Sequence, residues 1–176
     1  MSKTYPPLFV IIYTKTLTVM KISKILIGID DSKYAEHAAE YGFDIAHKFK
    51  ASVGVVNIIE PMVIPETSVG VDPLMGTGTT GNVAQEMEIL DIQKNNSESI
   101  VDAVVKRLAG DIEVTHFTEY GSTADGIITC GKEFGADLIV IGTHRRSGLD
   151  RLLMGSVAEH VVRHSEIPVL VVPFNS

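Results

Sequence analysis

Five short apolar runs, each separated from the next by a longer stretch of different periodicity, constrain this chain more than any other feature. They are "KILIGI" (24–29), "SVGVVNII" (52–59), "DIEVTHF" (111–117), "DLIVIG" (137–142) and "PVLVVP" (168–173). All are rich in β-branched residues and too short for buried helices. The third alternates apolar and polar positions. The others are apolar almost throughout, as strands are when both faces of their sheet are covered.

The intervening stretches repeat at three or four residues. "KYAEHAAEYGFDIAHKFK" (33–50) places Tyr34, Ala38, Tyr41, Ile45 and Phe49 on one stripe, with Asp30-Asp31-Ser32 supplying helix-starting chemistry. From about Val83 to Leu108 the expected inner face is Met87, Leu90, Ile100, Val104 and Leu108. "TADGIITCGKEFG" (123–135) and "SVAEHVVRHS" (156–165) read as two further helices. Strands that alternate with helices and return by right-handed crossovers predict an α/β chain. The expected architecture is a single doubly wound five-stranded parallel sheet with helices on both faces, Rossmann-like. Ligands of such sheets sit beyond the carboxyl ends of the strands, where strand order reverses. Attention therefore falls on Gly28–Ser32, Ile58–Glu60 and Gly142–Ser156.

A length of 176 residues suits one such domain. The net charge of −7 argues against a broad basic face for nucleic acid, and Cys130 is the sole cysteine. Without an internal disulfide, a reducing, cytoplasmic setting is expected. Residues 1–20 contain the apolar run "LFVIIY", well below the roughly 18 residues that cross a bilayer, and no signal-peptide pattern. They are read as a loosely attached N-terminal extension to a domain at 21–176, with no membrane partner. Residues 61–82 form a long irregular segment rich in Pro, Gly and Thr.

Two phosphate-binding patterns fail on context. "GTGTTG" (76–81) has the spacing of a dinucleotide fingerprint but no strand leads into it, so a lid or irregular loop is expected. "GIITCGKE" (126–133) has the spacing of a Walker loop, yet Glu133 stands where magnesium needs Ser or Thr, and the stretch reads as mid-helix. His160 and His164 lie four apart without further ligands, so no metal site is expected. No catalytic set is recognisable by spacing, and Cys130 reads as a buried small hydrophobe.

"GTHRRSGLDRLLMGS" (142–156) is different. Gly142 leaves an apolar strand, where a missing side chain permits close approach to a ligand. Gly155-Ser156 opens a helix whose free N–H groups and positive dipole end favour an anion. Ser156 can cap that helix or donate its hydroxyl to a phosphate oxygen. Arg145, Arg146 and Arg151, opposed locally by Asp150, make a positive patch on an acidic chain.

"GTHRRSGLDRLLMGSVAEHVVRHSEIPVLVVP" resembles the C-terminal third of the universal stress protein family, and "KILIGIDDSKYAEHAAEYGFDIA" its first strand and helix. The resemblance spans about Lys21 to Pro173. It implies a doubly wound α/β domain that dimerises, often through its last strand. The ATP-binding branch carries G-x2-G-x9-G-S/T after the fourth strand; Gly142, Gly155 and Ser156 match, and Arg145 replaces the second glycine. Carried over by position, Asp30 would contact the adenosine part, with Gly28 and Ile29 forming that wall. Ile58 and Ile141 would lie near the base. Gly142, Gly155, Ser156 and Val157 would hold ribose and phosphates.

Arg145 either folds over the phosphates as a charge-assisted donor or occupies their space. The function implied is a stress-response regulator binding ATP, ADP or AMP, with magnesium as a companion ion. The alternatives are a nucleotide-free dimeric interaction module whose pocket Arg145 closes, and a slow ATP-hydrolysing enzyme.

Overall fold

A computed structural model describes residues 21–60, 81–144 and 154–174. Nine elements alternate along them: β1 (Lys24–Gly28), α1 (Lys33–Phe49), β2 (Ser52–Ile59), α2 (Gly81–Leu108), β3 (Val114–Tyr120), α3 (Thr123–Phe134), β4 (Leu138–His144), α4 (Ser156–His164) and β5 (Val169–Phe174). The sheet has the order β3-β2-β1-β4-β5, and every pairing is parallel. Successive strands step outward from β1 to β3; the chain then crosses to β4 on the other side of β1. Strand order reverses between β1 and β4.

Side-chain alternation along each strand feeds two separate cores. Ile25, Ile27, Val53 and Val55 pack with Ala38, Phe43, Val101 and Val104 on the face covered by α1 and α2. Leu26, Val56, Ile139 and Ile141 pack with Ile127, Cys130, Ala158 and Val161 on the face covered by α3 and α4. Burial on both faces is why the strands read as nearly continuous apolar runs.

Three expectations shift. The buried stripe of α1 is Ala35, Ala38, Ala39, Gly42, Phe43 and Ala46, while Tyr41 and Phe49 are half exposed. Small residues let this helix lie close on the sheet: a Cβ on Gly42 would come within 2.6 Å of Ile27 Cδ1. In α2, Met87 and Leu90 are exposed, and burial begins at Ser97, Val101 and Val104. A helix of 28 residues runs about 42 Å, whereas the eight residues of β2 span about 26 Å, so the helix is about 16 Å longer than its strand. The exposure of Met87, Leu90 and Ile92 puts the excess toward its N-terminal end. β3 begins at Val114 rather than 111. The turn uses Gly110 at φ 57° and a bond from Ile112 N to Ala109 O of 2.9 Å, and pairing with β2 starts at Val53 opposite Val114.

Candidate functional site

A cleft of about 660 Å³ opens beyond the carboxyl ends of β1 and β4, at the reversal of strand order. Its apolar floor is Val56, Ile58, Ile127 and Ile141, with Gly28 between them. Two glycines shape this floor. A Cβ on Gly28 would come within 3.1 Å of Ile141 Cγ2 and 3.3 Å of Ile127 Cδ1; one on Gly126 would come within 2.5 Å of Ile58 Cδ1. Ile58 therefore lies flat against α3 because Gly126 leaves room for it. Below the wall, the buried Asn57 donates from Nδ2 to Ile29 O at 2.7 Å, and Ile29 N donates to Val56 O at 2.9 Å. These bonds fix the turn that presents Asp30.

Three helices begin around the cleft, and their N-termini differ. At α1 the Ser32 hydroxyl accepts from Ala35 N at 3.2 Å, and Asp30 Oδ1 accepts from Ser32 N at 2.8 Å. At α3 Ser122 is the N-cap, Asp125 lies in the first turn, and Thr123 Oγ1 donates to Glu60 Oε1 at 2.5 Å. Both ends are thus already supplied with acceptors and negative charge. At α4 the N-cap is Gly155, at φ 77° and ψ 147°, and it makes no side-chain cap hydrogen bond. Ser156 is the first helical residue rather than the cap. The open donors of α4 therefore remain available to an anion.

The structure gathers Gly28, Ile29, Asp30, Ile58, Ile141, Gly142, Gly155, Ser156 and Val157 in this cleft. Arg145 lies outside the described residues, as do Arg146, Asp150 and Arg151. Gly142 has a physical reason other than ligand approach, since a Cβ there would collide with the Tyr34 backbone carbonyl at the start of α1. Tyr34, Ala35, Thr123, Thr143 and Met154 also line the cleft, although the sequence assigned none of them a site role. Thr143 was within reach: with period-two alternation it shares the face of Ile141. Among the described lining residues Asp30 is the only charged side chain.

The remaining motifs resolve plainly. Gly81 opens α2, and the rest of "GTGTTG" lies outside the described residues. Gly126 and Lys132 are both inside α3. His160 Nε2 meets Asp125 Oδ1 at 2.9 Å on the exposed face between α3 and α4, and His164 Nδ1 meets the His160 carbonyl at 2.8 Å. No group of three metal-ligating side chains occurs among the described residues. The Asp125 carboxyl is held below its ordinary pKa, first by its hydrogen bond with Ser122 and then by that with His160. Burial pushes the Cys130 thiol up to about 11, with Glu119 and Glu133 adding to the effect. No described helix is long and apolar enough to cross a membrane.

A five-stranded parallel sheet with helices on both faces, and an open cleft at its reversal of strand order, define a Rossmann-like α/β domain. The chain belongs to the universal stress protein family, whose model matches residues 21–173. Among curated relatives, the universal stress protein MJ0531 of Methanocaldococcus jannaschii is 33% identical over 151 residues, covering 85% of this chain and 81% of the relative. Among solved structures, the protein MJ0577 superposes with a TM-score of 0.69 at 23% identity, covering 89% of this chain and 99% of its own. A universal stress protein family member from Arabidopsis thaliana, solved with AMP bound, superposes with a TM-score of 0.60 at 14% identity, covering 88% and 93%.

Proposed function

We propose that the cleft between β1 and β4 binds an adenine nucleotide, ATP, ADP or AMP, and that the protein is a cytoplasmic stress-response regulator controlled by that binding. The observation that carries this reading is the contrast among the three helix ends: only α4 presents a first turn without a side-chain acceptor. Phosphates belong at Gly155, Ser156 and Val157, where N–H groups and the helix dipole converge. The base belongs on the aliphatic floor of Ile58, Ile127 and Ile141, with the ribose toward Asp30. The AMP bound by the Arabidopsis protein supports the same ligand class.

A magnesium ion arriving with the phosphates would find one carboxylate, Asp30, among the described lining residues. Phosphate oxygens and water would supply its other ligands, as this ion usually prefers. Asp30 is likewise the only described lining carboxylate able to act as a base. It already accepts from Ser32 N, which favours a binder over an efficient hydrolase.

The test is to denature the purified protein, identify the small molecules released, and melt the protein with and without ATP-magnesium and AMP. A nucleotide present at 100 times its Kd adds about 2.7 kcal/mol, or roughly 5–10 °C for a domain of this size. If no nucleotide is released and millimolar nucleotide leaves the melt unmoved, the cleft is closed in solution. The protein would then be a nucleotide-free interaction module.

A further inference from the structure

Because α4 lacks a side-chain cap, something else must set where its first turn begins. β4 supplies it. Ile139 and Ile141 pack on the α3/α4 face, while Val140 packs on the face of α1 and α2. A Cβ on Gly142 would likewise strike α1. Thr143 therefore returns to the α4 side, and its Oγ1 donates to the carbonyl of Met154 at 2.7 Å.

That bond ties together residues eleven positions apart, the two ends of the segment running from β4 into α4. The Met154 carbonyl belongs to the same planar trans peptide as the Gly155 N–H, so holding one fixes the direction of the other. The position a Cβ would take on Gly155 lies 3.6 Å from Thr143 Oγ1, and Thr143, Met154, Gly155 and Ser156 all line the cleft.

We propose that Thr143 is a positioning residue, whose hydroxyl holds the Met154–Gly155 peptide so that the first-turn amides of α4 are set for an anionic phosphate before it arrives. This rests on the nucleotide reading above and deepens it. Without the clasp, the turn is ordered at the expense of binding free energy. One such hydrogen bond corresponds to a loss of about tenfold in affinity. The loss falls on ligands that carry a phosphate and spares those that do not.

Calorimetric titration with AMP and with adenosine tests this on three proteins: wild type, Thr143→Val and Thr143→Ser. The valine variant keeps the shape and loses the donor; the serine variant keeps the donor. The expected result is AMP binding about tenfold weaker in Thr143→Val and restored in Thr143→Ser, with adenosine binding equal in all three. Unchanged AMP affinity in the valine variant overturns the proposal, and so does an equal fall for AMP and adenosine. Thr143→Ala replaces the valine variant if that protein does not fold. Wild type binding neither ligand would instead sink the nucleotide reading itself, a result distinguishable from the other two.

Discussion

Cys130 lies on the inner side of α3, in the same apolar cluster as Leu26 and Ile139, with none of its surface exposed. In that setting the thiolate is the costly form, because apolar neighbours replace most of the water that would solvate it. The folded chain keeps the proton up to about 11, while the unfolded chain gives it up near 9.0. Stability from this group is therefore full below pH 9.0 and is lost as pH rises toward 11. A thiol reagent at pH 8 should leave the native protein unmodified and label it stoichiometrically in urea. Labelling of the native protein at the rate of a free thiol would contradict the assigned burial.

Gly142 shows at the same scale how a residue picked out for one physical reason can have a second one. Its place at the end of a buried strand was legible, but the collision of a Cβ with the Tyr34 carbonyl depends on how α1 settles on the sheet. No pattern in one sequence contains that distance.

At the scale of elements, α4 differs from α1 and α3 in one respect with two consequences. An uncapped first turn weakens the helix and leaves its first N–H groups without a side-chain acceptor. Ser156→Asp supplies a carboxylate at the first helical position and should move two measurements in opposite directions. Urea unfolding of the free protein should show a gain of about 0.3–1 kcal/mol, while AMP affinity falls because ligand and side chain compete for the same donors. Equal or tighter AMP binding in this variant would place the phosphate elsewhere.

Strand positions were legible because burial on both faces makes them read as continuous apolar runs. The inner faces of α1 and α2 were legible only in part: Ala38, Ile100, Val104 and Leu108 do face the core. Periodicity places Tyr41 and Phe49 on the buried stripe of α1, yet that stripe is made of four alanines, Gly42 and Phe43, and Met87 and Leu90 of α2 are exposed. Close packing selects small side chains, and the reach of a helix past its sheet depends on relative lengths that periodicity does not encode. The role of Thr143 went unread for a related reason: its partner is the backbone carbonyl of a residue eleven positions on, and backbone atoms leave no mark in the sequence.

At the scale of the whole molecule, the parallel order β3-β2-β1-β4-β5 leaves β5 with one partner strand, β4, among the described residues. An apolar edge strand invites pairing with a second chain. We infer a homodimer formed through β5, which light scattering should report as a mass near twice 19.1 kDa; a mass of 19.1 kDa at micromolar concentration would exclude it.

The same topology brings the aliphatic floor and the open helix end into one cleft, and the proposed reading gives a bound nucleotide a direction: base toward Ile58, phosphate toward Gly155. Amide chemical shifts recorded during parallel titrations with AMP and adenosine read that direction most directly. Both ligands should move the amides of Ile58 and Gly28, and AMP alone should move those of Gly155, Ser156 and Val157. Shifts that avoid α4 with AMP, or that appear there equally with adenosine, would contradict the account.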